Sequence, residues 1–130
     1  MRVAVAVIYD ALGRILLTQR PDHADHGGQW EFPGGKLQTG EHPVEALKRE
    51  VKEEVGLDVL DMEFITDIEH SYTSKQVVLH VYRVTGFQGT ARCLESQIDL
   101  RWVSPEKLTQ FDFPEANHKI IRQLVPSSYG

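Results

Sequence analysis

The stretch GGKLQTGEHPVEALKREVKEEVGL, residues 34–57, decides how the rest of the chain is read. Pro43 suits a first helical position, where its missing N–H costs nothing. Gly56 suits the left-handed residue just past a helix end, so the stretch predicts a helix from Pro43 to Val55. His42, directly before Pro43, is a poorer helix cap than Ser or Thr. A wheel at about 100° per residue divides this helix into three arcs. Val44, Leu47, Val51 and Val55 form a core stripe, and Glu45, Lys48 and Lys52 form a solvent arc where opposite charges pair at i, i+3. The third arc carries Glu50, Glu53 and Glu54, beside small Ala46 and flanked by Arg49.

Most acidic runs on helices are solvated faces. Here Glu50 and Glu54 are like charges at i, i+4, and all three glutamates sit in the last two turns, where the helix dipole disfavours anions. Only Glu53 has a basic neighbour at helical spacing, Arg49, so an unaided patch costs stability with no visible return. A divalent cation reverses that sign. Hard cations such as Mg²⁺ take carboxylate oxygens, keep several waters, and are held by one or two protein carboxylates plus substrate phosphates. The preceding Gly34 and Gly35 allow a tight turn and a close approach of backbone to an ion or phosphate.

Outward from this helix, Val3 to Tyr9 and Ile15 to Thr18 read as strands, paired across a turn at Asp10 to Arg14. Pro21 to Gln29 is a polar loop leading into a short segment at Trp30 to Phe32, and Pro33 to Gly40 is a second loop. Asp58 to Glu69 and Gln76 to Thr85 read as strands joined by a polar turn at Tyr72 to Lys75, and Ile98 to Val103 as another. A short helix start follows at Ser104, and Ala116, Ile120, Ile121 and Leu124 mark a second amphipathic helix from Pro114. Strands mixed with two helices, each with one apolar stripe to bury, suggest a sheet covered on both faces.

The chain has 130 residues, with 41% hydrophobic and 25% charged, which suits one compact domain over residues 1–130 and excludes wholesale disorder. No apolar run approaches the roughly 20 residues that cross a bilayer, and the opening MRVAVAVIYDALGR has no small-residue cleavage site, so a soluble, untargeted protein is expected. A single cysteine, Cys93, fits a reducing compartment, with the cytoplasm as the default. The net charge of −5 argues against a general grip on nucleic acid. A small-molecule partner and a monomer are the expectation.

Gly35, Glu41, Arg49, Glu50, Val51, Glu53, Glu54, Gly56 and Leu57 together resemble the complete Nudix box. At average usage the fixed positions match by chance on the order of 10⁻⁹ per starting position. The resemblance implies an α/β fold, an α/β/α sandwich with a mixed β-sheet, and a hydrolase of nucleoside diphosphates linked to another moiety, dependent on Mg²⁺ with Mn²⁺ as substitute. It further implies that Glu50, Glu53 and Glu54 are metal ligands, that the Gly34 carbonyl adds another, that Arg49 orients the glutamates, and that Glu41, with Gly35 and Gly56, supports the loop and helix. Glu50 or Glu53 is the expected catalytic base.

WEFPGGK (residues 30–36) and FDFPEAN (residues 111–117), the latter followed by an amphipathic helix, resemble the MutT-like subgroup, whose members act on 8-oxo-dGTP. That resemblance implies that Asn117 hydrogen-bonds the guanine edge, that Phe32 lines the base pocket, and that Arg20 and Lys75 sit near the nucleotide. It also implies attack on the β-phosphorus, giving a nucleoside monophosphate and pyrophosphate. An amide suits base recognition because it offers donors and an acceptor, although an Asn near a helix start also commonly bonds the free amides there. A CTP or 5-methyl-dCTP pyrophosphohydrolase shares the box, and a non-catalytic nucleotide-binding module is a third possibility. Gln38 stands where the subgroup usually has an acid. A further metal-site carboxylate is expected before Trp102, with Glu95 and Asp99 as the two candidates. Six histidines, His23 and His26 among them, lack zinc-site spacing and read as loop polar groups or substrate contacts. Trp30 and Trp102 read as packing residues.

Overall fold

The computed structural model describes residues 1–125. Strand β1 (Arg2–Ile8) is followed by β2 (Ile15–Gln19), β3 (Trp30–Glu31), β4 (Gly34–Lys36) and helix α1 (Pro43–Val55). Then come β5 (Asp58–Tyr72), β6 (Lys75–Gln88), β7 (Asp99–Val103), a 3₁₀ turn (Pro105–Gln110) and α2 (Glu115–Leu124). The strands form two sheets. A four-stranded mixed sheet runs β4-β1-β6-β5, with β1 parallel to β6 and the other pairs antiparallel, and a three-stranded antiparallel sheet runs β3-β2-β7.

β1 organises the layers because successive strand side chains point to opposite faces. Ala4, Ala6 and Ile8 pack with Leu47, Val51 and Val55 of α1, while Val5 and Val7 pack with Ile120 and Ile121 of α2. The helices therefore cover opposite faces, as the expected sandwich requires. Fully burying each of the valine, leucine and isoleucine side chains here stabilises the fold by about 1.5–3 kcal/mol. Ala46, placed by the wheel beside the acidic arc, is fully buried in the α1 layer, where its small size lets the helix approach the alanines of β1.

Several local expectations change. β1 and β2 are not a strand pair: they share one bridge, Tyr9 to Ile15, and then enter different sheets. The physical reason is that β1 finds its partners in β4 and β6, so the turn at Asp10 to Arg14 connects two sheets. The supposed loop over Pro33–Gly40 contains β4, paired to β1 from Val3–Lys36 to Val5–Gly34. The hairpin strands β5 and β6 continue to Tyr72 and Lys75, which shortens the polar turn to Thr73 and Ser74. His42 does cap α1: its Nδ1 accepts from the Val44 N–H at 3.1 Å, and Glu45 accepts from the His42 N–H at 2.9 Å. Gly56 ends α1 at φ 76°, its N–H donating to the Lys52 carbonyl at 3.0 Å.

Candidate active site

Arg49 is the hub of the acidic arc. Its Nε and Nη2 donate to the two carboxylate oxygens of Glu41 at 2.8 and 2.9 Å, a forked pair that ties the helix to the preceding loop. Nη2 also donates to the Lys36 carbonyl at 3.1 Å, and Nη1 reaches Glu50 at 2.7 Å and Glu53 at 3.4 Å. Glu41 in turn accepts from the Gln38 N–H at 2.9 Å. The Arg49 guanidinium, helped by that amide, holds the Glu41 carboxyl at about 2. Gln38 thus serves through its backbone.

Two adjacent glycines make room for this arrangement. A Cβ at Gly34, where φ is 152°, would fall on the Ala4 carbonyl of β1, and a Cβ at Gly35 would fall on the Glu50 carboxylate. The Gly34 N–H donates to Glu54 Oε1 at 3.1 Å. Glu54 has no cation beside it among the contacts that shift it, and burial pushes its carboxyl up to about 9, with Glu31, Glu50 and Glu95 adding to the rise. Burial likewise raises Glu50 against the opposing pull of Arg49.

The glutamates divide more finely than the wheel suggests. Glu50, Glu53 and Glu95 each offer an oxygen within 4.8 Å of the others, on the α1 face and the loop before β7. Glu54 lines a neighbouring cleft with Gly34 and Gly35. Of the two candidates before Trp102, Glu95 therefore stands at the cluster. Asp99 accepts from the Leu100 N–H at 2.7 Å and from Arg101 Nε at 3.1 Å. A set of hard oxygens in a solvent-accessible, mutually repelling cluster is the chemistry that a divalent cation fits, and Glu50, Glu53, Glu54 and Glu95 could hold one.

The cleft has a volume of about 660 Å³, and Arg20, Phe32, Lys75 and Asn117 all line it. These residues come from the end of β2, the β3–β4 connection, β6 and α2, so the fold brings together four separate segments. Phe32 is buried and stacks on Phe113 with ring centroids 5.6 Å apart. Arg20 is engaged with Glu31 at 2.9 Å and with the Asp25 carbonyl at 2.6 Å. Asn117 caps nothing: Pro114 occupies the cap position of α2, and no side chain caps that end. Glu31, His26 and Tyr72 also line the cleft. Sequence reading missed Tyr72 because it placed that residue in a turn. Trp30 is buried edge-on to Phe111 at 5.2 Å, and Trp102 stacks on Phe87 at 6.0 Å.

With this geometry in place, comparison defines the class. A family model described as NUDIX domain matches residues 4–123, and the chain belongs to the Nudix hydrolase family. It is 37% identical over 121 residues to the CTP pyrophosphohydrolase of Escherichia coli, covering 93% of this chain and 89% of that relative. It is 36% identical over 130 residues to the 8-oxo-dGTP diphosphatase of Haemophilus influenzae, covering 100% of this chain and 95% of that relative. A solved structure from work on MutT of Aliivibrio salmonicida and Vibrio cholerae superposes with a TM-score of 0.83 at 32% identity, covering 97% of this chain and 98% of that chain. Among the described residues no helix is long and apolar enough to cross a membrane.

Proposed function

We propose that the chain is a Mg²⁺-dependent nucleoside triphosphate pyrophosphohydrolase, an 8-oxo-dGTP diphosphatase that releases 8-oxo-dGMP and pyrophosphate and clears oxidised nucleotide in the cytoplasm. The observation that carries the proposal is the cleft: Phe32 and Asn117 line the same volume as Gly34 and Glu54, so a base and a phosphate chain can be held by one ligand-sized space. Glu50, Glu53, Glu54 and Glu95, with the Gly34 carbonyl, would hold Mg²⁺ or Mn²⁺. When bound there, the ion would neutralise charge on the phosphate chain and lower the pKa of the attacking water.

The residues of the chain do the rest. Arg49 fixes the directions of Glu50 and Glu53. Glu50 or Glu53 accepts the proton as water attacks the β-phosphorus. The bond between the β-phosphorus and the oxygen bridging to the α-phosphate breaks, and that oxygen leaves on the nucleoside monophosphate. Phe32 offers an aromatic wall for the base, Asn117 an amide that can donate and accept at the guanine edge, and Arg20 and Lys75 positive charge near the nucleotide.

The experiment is kcat/KM with Mg²⁺ for 8-oxo-dGTP, dGTP and 5-methyl-dCTP, with products identified, for the wild type and Asn117→Ala. A preference for 8-oxo-dGTP of about a hundredfold, about 2.7 kcal/mol, that collapses in the variant supports the proposal. A second reading, a CTP or 5-methyl-dCTP pyrophosphohydrolase, draws on the 37% identical Escherichia coli relative. Equal losses on purine and pyrimidine substrates in the variant would overturn the 8-oxo-dGTP reading, preferential wild-type turnover of 5-methyl-dCTP would favour the second, and no turnover at all would leave a nucleotide-binding module.

A further inference from the structure

Glu95 sits in a place that electrostatics alone does not favour. It is exposed, and one of its carboxylate oxygens lies within 4.8 Å of oxygens of Glu50 and Glu53. Like charges at that distance repel, so the place of Glu95 depends on how its backbone is held.

The loop between β6 and β7 contains that restraint. Gln97 Nε2 donates to the Glu54 carbonyl at 2.9 Å, and Gln97 Oε1 accepts from the Glu95 N–H at 2.8 Å. One amide thus clamps the backbone of Glu95 to the backbone of a residue in the acidic helix, using its donor and acceptor together. The Leu94 N–H donates to the same Glu54 carbonyl at 3.0 Å, and the Arg92 N–H to the Val55 carbonyl at 3.0 Å. These carbonyls lie in the last turn of α1, where helical partners run out, so the loop is fastened to the helix end that carries Glu53 and Glu54. Ser96 has φ 64°, a left-handed conformation that reverses the chain between Glu95 and Gln97 and returns the amide over the Glu95 N–H. A non-glycine residue keeps that conformation only where its surroundings impose it.

On the hydrolase reading above, we infer that Gln97 is a positioning residue of the cation site: its two hydrogen bonds hold Glu95 within the set formed with Glu50 and Glu53. Gln97 does not touch substrate in this role. It acts through the backbone of Glu95.

The test is Mn²⁺ binding to the nucleotide-free protein, followed by electron paramagnetic resonance of the free ion, which is independent of turnover. Gln97→Met keeps the length of the side chain and removes both hydrogen bonds. It should weaken Mn²⁺ binding about 10- to 100-fold, the range for residues that orient ligands. In a Glu95→Gln background the same substitution should change binding by less than about twofold, because the residue it positions no longer ligates. A merely structural cap of α1 would lower the melting temperature and weaken Mn²⁺ by the same factor in both backgrounds, which would overturn the inference, as would wild-type binding by Gln97→Met. Gln97→Asn, a milder change, should follow the same pattern and serves if the Met variant does not fold. Equal, weak binding by the wild type and Glu53→Gln would overturn the hydrolase reading itself.

Discussion

Replacing Gly35 by Ala separates the chemistry of the site from the stability of the fold. The backbone at Gly35 is not in the left-handed region, so an alanine fits its φ without strain. The new Cβ falls on the Glu50 carboxylate, the far end of a side chain held by Arg49 at 2.7 Å. To reach ordinary van der Waals distance the carboxylate must move by about 1 Å, a displacement that costs on the order of a hundredfold when it strikes a reacting group. The expected result is a fall in kcat/KM of about a hundredfold, about 2.7 kcal/mol. Stability should stay within about 1 kcal/mol of wild type. Losing a partly exposed ion pair costs about 0–1 kcal/mol, and the reduced freedom of the unfolded chain returns about 0.4–1 kcal/mol. Gly34→Ala is the control, because its Cβ meets the backbone of Ala4, which cannot swing aside, at a φ of 152°. That variant should lose stability, by about 1–3 kcal/mol for the strained backbone alone. The assay pairs steady-state kinetics on 8-oxo-dGTP at saturating Mg²⁺ with urea unfolding. Turnover of Gly35→Ala within about threefold of wild type would refute the reasoning, and so would a loss of activity that merely tracks a loss of fold.

Two further outcomes can be measured. In chelator-treated protein, burial holds the Glu54 carboxyl at about 9 in the folded state, above its ordinary value of 4.5, so its contribution to stability is present below about 4.5 and is lost as pH rises through about 9. Glu54→Gln, neutral throughout, should flatten the decline of melting temperature between about pH 5 and pH 9, and an unchanged slope would show that Glu54 does not cause it. His42→Ala should cost about 1 kcal/mol in urea unfolding by removing the acceptor for the Val44 N–H, whereas His42→Ser should retain most of it.

The helix over Pro43–Val55 is legible to the residue because its limits are set locally, by Pro43 inside the start and Gly56 at the end. The resemblance gives Arg49 and Glu41 separate roles, and their forked pairing is seen only in the fold. β4 is not, because GGK carries no alternating apolar pattern and becomes a strand only through pairing with Val3, Ala4 and Val5, about thirty positions earlier. The assignment of β1 and β2 to separate sheets is hidden for a related reason: a turn between two apolar runs reads as a hairpin unless the distant partner β6 is known. Glu95 is indistinguishable from Asp99 by spacing, since its place depends on the left-handed Ser96 and on the bridging amide of Gln97. Arg20, Phe32, Lys75 and Asn117 are named by resemblance, but only the folded chain lines one cleft with all four.

The alternation of β1 has an evolutionary consequence. Its even-numbered side chains bed the helix that bears the acidic arc, and its odd-numbered ones bed the helix that bears Asn117. Substitutions that reshape the base end of the cleft from α2 therefore fall on the far side of a strand from Glu50 and Glu53, and selection can try them without disturbing the carboxylates. On the function proposed above, a lineage built this way could change which nucleotide it accepts while inheriting its carboxylate cluster intact.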